Sequence, residues 1–129
     1  MSATTAAIPA AGWELHCDSG TSDKFYRFIV IFGSNPGVIF IYGRRGDRGQ
    51  VRVHPHDSAK TAIRRAVTMT HEKERKSYFL TCDFTPFSIP ATELADMNDT
   101  TSVDAHGIAA LFRQQAADLG NERPNVAPL

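Results

Sequence analysis

The residues best suited to chemistry crowd into one stretch, IYGRRGDRGQVRVH, from Ile41 to His54. It carries Tyr42, four arginines (Arg44, Arg45, Arg48 and Arg52), His54, and glycines at positions 43, 46 and 49. An aromatic ring beside a guanidinium suits nucleic acid. The ring packs on a sugar or base, and the guanidinium grips phosphate in a bidentate fashion. Gly43 removes the side chain between the two, so that a backbone or ligand can approach closely. Gly46 and Gly49 permit a tight turn whose amides can also hold a phosphate. A plainer reading stands beside this one: arginines keep sheet edges from pairing, and hairpin glycines simply turn the chain.

Charge placement sharpens the first reading. The chain has 129 residues, with 14 Lys/Arg balanced by 14 Asp/Glu. Yet Tyr42 to Lys76 holds ten basic residues against four acids, a net of +6. From Asp83 onward there are seven acids against two arginines, a net of −5. A basic segment of this kind is the electrostatic footprint expected of a phosphate-binding surface. Lys60 and Arg64 add to it from a helical face, and His54 stands near the same surface, where it can add a pH-dependent contact.

Other chemistries find little support. His16, Cys17, His54, His56 and Cys82 lack the close paired spacing of zinc ligands. There is no nucleophile elbow, phosphate-loop lysine motif or zinc-protease motif. The expectation is therefore a non-enzyme with no catalytic residue, metal, cofactor or small-molecule substrate. Two cysteines make no disulfide framework and read as free buried thiols. No apolar run is long enough for a membrane helix, and the N-terminus has neither a signal-peptide nor a transit-peptide pattern. These features point to a cytoplasmic protein, nucleoid-associated if bacterial.

The elements that must position the arginines follow from periodicity. WELHC (13–17) alternates as a short strand. KFYRFIVIF (24–32) and VIFIYGRR (38–45) are β-branched and aromatic, and the turn GSNPG joins them as a hairpin. GDRG turns the chain again into QVRVH (50–54). Phe40, Tyr42 and Arg44 then share one face, and Ile39, Ile41 and Arg45 the other. With Ile39 and Ile41 turned inward toward a helix, Phe40, Tyr42 and Arg44 point outward, and Arg52 comes beside Arg44 from the next strand. Ala59, Ala62, Ile63, Ala66, Val67 and Thr70 recur at helical spacing, giving one amphipathic helix over about 58–76, capped by Asp57 or Ser58. SYFLTCDF (77–84) is a last edge strand, ended by the prolines of TPFSIP. A second helix is expected over about 103–119, with Ile108, Leu111 and Phe112 on one face. The fold class is α+β: an antiparallel sheet of four to five strands, one helix across a face, and a C-terminal helical extension.

DKFYRFIVIF, then YGRRGDRGQVRVH, then a helix ending HEKERKSY resembles the WGR domain family. The family is named for a Trp-Gly-Arg motif and occurs in DNA-dependent poly(ADP-ribose) polymerases and in small bacterial proteins. The likeness covers about Trp13 to Leu80, with Tyr42 in place of the motif tryptophan. It implies a module that binds DNA at a strand end or nick, with Tyr42 packing on a sugar and Arg44 on the backbone. A tyrosine still stacks, with less area and an added hydroxyl. The expected interface is Tyr42, Gly43, Arg44, Arg45, Arg48, Arg52, His54, Lys60 and Arg64. DNA is the expected partner, with RNA left open. An alternative is a protein adaptor whose acidic C-terminal region docks a partner or masks the basic face. The expected organisation is a flexible leader (1–11), a WGR-like domain (12–84), an extension with a helix (85–120) and a disordered tail (121–129).

Overall fold

The structure is a computed structural model that describes residues 7–94, 97–101 and 103–122. Five strands form one antiparallel sheet: β1 (Ala7–Cys17), β2 (Lys24–Ile31), β3 (Gly37–Arg44), β4 (Gln50–Pro55) and β5 (Phe79–Pro90). Their order across the sheet is β4-β3-β2-β1-β5. Helix α1 (Ala59–Arg75) joins β4 to β5, and helix α2 (Ala105–Asp118) follows β5. The α+β class expected from the sequence is the observed one.

Alternation sorts the apolar residues into two cores. Trp13, Leu15, Tyr26, Phe28, Val30, Val38 and Phe40 face one way and meet Ala62 and Ala66 of α1. Phe25, Ile29, Ile31, Ile39, Ile41, Phe87 and Ile89 face the other and meet Ile108, Ala109, Phe112 and Ala116 of α2. The helix over Phe40 and Tyr42 is therefore α1. This reverses the expected assignment, in which Ile39 and Ile41 met the first helix and Phe40 pointed to solvent. The reason is that β2 and β3 are apolar on both faces: alternation separates the two sets of side chains but does not say which helix covers which. Small residues let α1 sit close, and Trp13 ties it to β1 by donating from Nε1 to Thr70 Oγ1 at 2.8 Å. On the far face Gly12 lies so near the Phe112 ring that an added Cβ would come within 2.6 Å of it.

Two strands are longer than expected. β1 starts at Ala7, within the stretch expected to be leader, and pairs along β5 from Ala7↔Pro90 to His16↔Phe79. β5 runs through Pro86 rather than stopping before it. An edge strand tolerates proline where its missing N–H would point away from the sheet. The outer side of β5 is closed by the chain itself. Asp83 donates its N–H to the carbonyl of Asn121 at 3.1 Å. The Gln115 amide both accepts from Ser88 N (3.4 Å) and donates to Ser88 O (3.3 Å). Asn121 and Glu122, expected to belong to the tail, thus lie against β5, whereas 123–129 fall outside the described residues. α2 occupies the face opposite Tyr42, so this helix does not cover the aromatic–basic surface. Among the described residues no helix is long and apolar enough to cross a membrane.

Candidate nucleic-acid interface

Where α1 ends, the face it covers opens into a groove of about 880 Å³. Its floor is Tyr26 of β2 and Tyr42 of β3, directly paired across the strands. Their rings stack with centroids 5.0 Å apart and an interplanar angle of 8°. The Tyr42 hydroxyl reaches Gln50 Oε1 of β4 at 3.4 Å. Tyr78 closes the helix side, edge-on to Tyr26 at 6.3 Å. The turn of Thr21, Ser22 and Asp23 forms the opposite wall.

The end of α1 is shaped to deliver two of these groups. Ser77 takes a left-handed backbone (φ 74°), and the N–H of Tyr78 returns to the carbonyl of Lys73 at 3.1 Å. That reversal brings Tyr78 back beside Lys73. The Lys73 ammonium lies 4.7 Å from the centre of the Tyr26 ring and 5.9 Å from that of Tyr78. Lys24 and Arg44, paired across β2 and β3, complete the cationic lining. Burial, the Tyr42 and Tyr78 rings and, in the opposite sense, Arg52 leave the Tyr26 phenol pushed up to about 12. Burial and then Cys17 raise Tyr78, so both rings are neutral hydrogen-bonding phenols near neutral pH. Burial, with help from Lys76 and Lys24 and against Glu72, lowers the Lys73 ammonium. Such a cation is held in part out of water and gains from an anion.

Arg45 turns to the other face, where it pairs with Asp23 and approaches His16 Nδ1 at 3.3 Å. His16 Nε2 lies 2.8 Å from Glu14 Oε2, and Glu14 Oε1 takes the Arg27 Nε–H at 2.5 Å. Burial pushes Glu14 up, but its hydrogen bond to His16 and the Arg27 charge outweigh it and hold the carboxyl below its ordinary value. This chain of charges fastens β1, β2 and the turn after β3 together. It also occupies the carboxylate of Asp23, the acid on the groove wall. Among the described residues no carboxylate forms an ion pair with Lys24, Arg44 or Lys73.

The other expected interface residues scatter. The close approach at Gly43 is made by the chain itself: a Cβ there would lie 3.3 Å from Gly49 Cα. Gly49 in turn has φ 94° and no room beside Phe25, so the pair is fixed by the turn. Arg48 is exposed in that turn, and its charge is felt by His106 of α2, on the far face. Arg52 sits opposite Phe40, not beside Arg44, whose cross-strand neighbour is Lys24. Two-residue alternation fixes a face, but only the register fixes a row. His54 packs its ring 5.6 Å from Phe40. Lys60 and Arg64 are exposed on α1. The expected set omitted Lys24, Tyr26, Lys73 and Tyr78. Their signal lay in FYR and in HEKERKSY, but which aromatic rows would meet depends on register and on the helix end.

The sequence profile of the WGR domain matches residues 13–85. Neither a curated protein nor a solved structure matches the chain. The matched span holds the aromatic floor, the cations of the groove and the helix that closes it, and it takes in more than half of the sequence. The chain therefore belongs to the WGR domain family, a family of nucleic-acid-binding modules.

Proposed function

We propose that this chain is a non-enzymatic module that binds DNA near a strand end or nick. The observation that carries this reading is the groove itself: two stacked tyrosines and a third edge-on, ringed by Lys24, Arg44 and Lys73 with no carboxylate partner among the described residues. Tyr42 is half-buried at the mouth, with Tyr26 against one ring face. A base or sugar at a strand terminus packs there, where no continuing nucleotide competes for the space. The three cations take the adjoining phosphates. Gly43 shapes the turn, and Arg45 acts at a distance by engaging Asp23. Arg52, His54, Lys60 and Arg64 extend the positive surface along β4 and α1. Binding dominated by phosphates weakens steeply with salt.

The test is a mobility-shift panel of intact circular, linear, nicked and single-stranded DNA, with a matched RNA, at low and moderate salt. Preference for linear and nicked DNA, lost in a Lys73→Ala/Arg44→Ala variant, supports the reading. No shift at micromolar protein, or equal binding by the variant, rejects it.

A second reading is a protein adaptor. It is favoured by an apolar patch beside α1, in which Phe84, 51% exposed, stacks on Trp13 next to Val67, 41% exposed. Co-purification of a defined protein, lost on Phe84→Ser substitution and with no DNA affinity, would select this reading over the first.

A further inference from the structure

We propose that β4 and α1 form a second anion-binding subsite, in which Arg52, His54 and Arg65 take a backbone phosphate of the strand whose terminus lies in the tyrosine groove. The inference rests on the DNA-binding reading and adds the direction in which the nucleic acid leaves.

Register places the subsite. Tyr42 pairs with Gln50, Phe40 with Arg52 and Val38 with His54. Residues 50, 52 and 54 therefore share the face of Tyr42 and run away from the groove along the outer strand. From the Tyr42 row to the His54 row is about 14 Å at ~3.4 Å per residue. A duplex strand advances by about four phosphates over that length.

The charges around His54 are of one sign. Arg52 precedes it on β4, His56 follows just past the end of that strand, Arg65 faces it from α1, and the ring it packs on from β3 is the uncharged Phe40. Burial, then Arg65, His56 and Arg52, hold its pKa below the ordinary histidine value. Next to it, a groove of about 360 Å³ runs along α1 past His56, Thr61, Arg64 and Arg65. The acid on that groove is Glu72, and among the described residues neither it nor Asp57 forms an ion pair with these arginines. His56 Nδ1 meets Thr61 Oγ1 at 3.1 Å. Because Thr61 gives its hydroxyl proton to Ser58 O, Nδ1 is the donor. Nε2 is buried with no partner. With Nδ1 donating, that nitrogen is an acceptor and holds no anion itself. The groups an anion would complete are the guanidiniums of Arg52, Arg64 and Arg65, which have no carboxylate partner among the described residues. A phosphate arriving there reverses the local field, so His54 takes up a proton as the complex forms, and affinity rises as pH falls.

The experiment is a fluorescence-anisotropy titration of a duplex with hydroxyl ends, at ~pH 6 and ~pH 7.5 and over a range of salt. Hydroxyl ends are needed because a terminal phosphate titrates near ~6 itself. The protein is compared with His54→Gln and Arg65→Gln, each checked for an unchanged melting temperature. The expected result is that the unaltered protein tightens several-fold on acidification. His54→Gln should flatten that response, and Arg65→Gln should lower the slope of log affinity against log salt by about 0.9. Variants that keep both the pH response and the slope overturn the subsite, while binding that depends on Tyr42 would still stand. Failure of the unaltered protein to bind at either pH overturns the DNA-binding reading and the subsite with it.

Discussion

Tyr26 and Tyr42 lie directly opposite each other on β2 and β3 with their rings nearly parallel, 8° apart. One face of Tyr42 is thus spent on Tyr26, and what remains for a ligand is its other face, its edge and the hydroxyl. Tyr42→Ala should weaken DNA binding by about 1–3 kcal/mol, the usual worth of one stacked base. Tyr42→Trp restores the family's own residue and should tighten it through the larger ring. Anisotropy titrations at one fixed salt concentration check both. Tighter binding by the alanine variant would show that the ring is not a contact.

Lys73 is held between two phenol rings. Lys73→Gln should cost about 0.5–1 kcal/mol of stability from the lost cation–π contacts. It should cost more in binding, together with a salt slope reduced by about 0.9. Urea unfolding and salt-dependent titration separate the two effects. An unchanged slope would mean that Lys73 meets no phosphate.

Arg45 offers a sharper test because it points away from the groove. Its pairing with Asp23 keeps that carboxylate from the cations of the groove wall. Arg45→Gln should weaken DNA binding, and adding Asp23→Asn should restore most of the loss. If the double variant binds no better than the single one, Arg45 does not act through Asp23.

The Glu14–Arg27 pair is buried, with both side chains 10% exposed. Arg27→Met leaves the buried carboxylate with His16 as its side-chain partner and should destabilise, by at most about 3–5 kcal/mol. The pH dependence follows from Glu14 lying below its ordinary value in the folded state. Its contribution is present above the unfolded-state pKa, near 4.5, and is lost as pH falls through the lower folded value. Urea midpoints measured downward from ~pH 5.5 should therefore fall less steeply in Arg27→Met than in the parent. Parallel curves would discard the argument.

Gly12→Ala pushes a methyl into the Phe112 ring, and overpacking of this kind costs about 1–3 kcal/mol. The site lies on the opposite face, so DNA affinity below the melting temperature should be unchanged. A drop in affinity matching the drop in stability would show that α2 supports the groove through the sheet.

Much of this architecture was legible in the sequence, for local reasons. Helix α1 shows its small-residue stripe at Ala62 and Ala66 and its cap at Ser58. The β2–β3 hairpin shows in its β-branched and aromatic run, and Asp104 caps α2 close to the expected start. What stayed hidden was non-local. Nothing in VIFIYGRR says that Phe40 rather than Ile39 lies under α1, because both faces are apolar. Strand β1 from Ala7 to Ala11 carries no periodic signal and is a strand because β5 pairs along it, with β2 joining from Ala10. The groove was half-visible. Tyr42 and Arg44 stand in a recognisable motif, but Tyr78 joins them, beside Lys73, only because Ser77 turns the chain back at the helix end.

The amide of Gln115, bonded to both backbone groups of Ser88, stands in for one residue of a sixth strand. With Asn121 on Asp83 beside it, the β5 rim is partly taken by the chain's own C-terminal segment, whereas the β4 rim pairs with β3 alone. Copies of this chain crowded side by side on one polyanion would find β5 partly occupied and β4 guarded by the charge of Arg52, a device that discourages a neighbour's backbone from continuing the ladder.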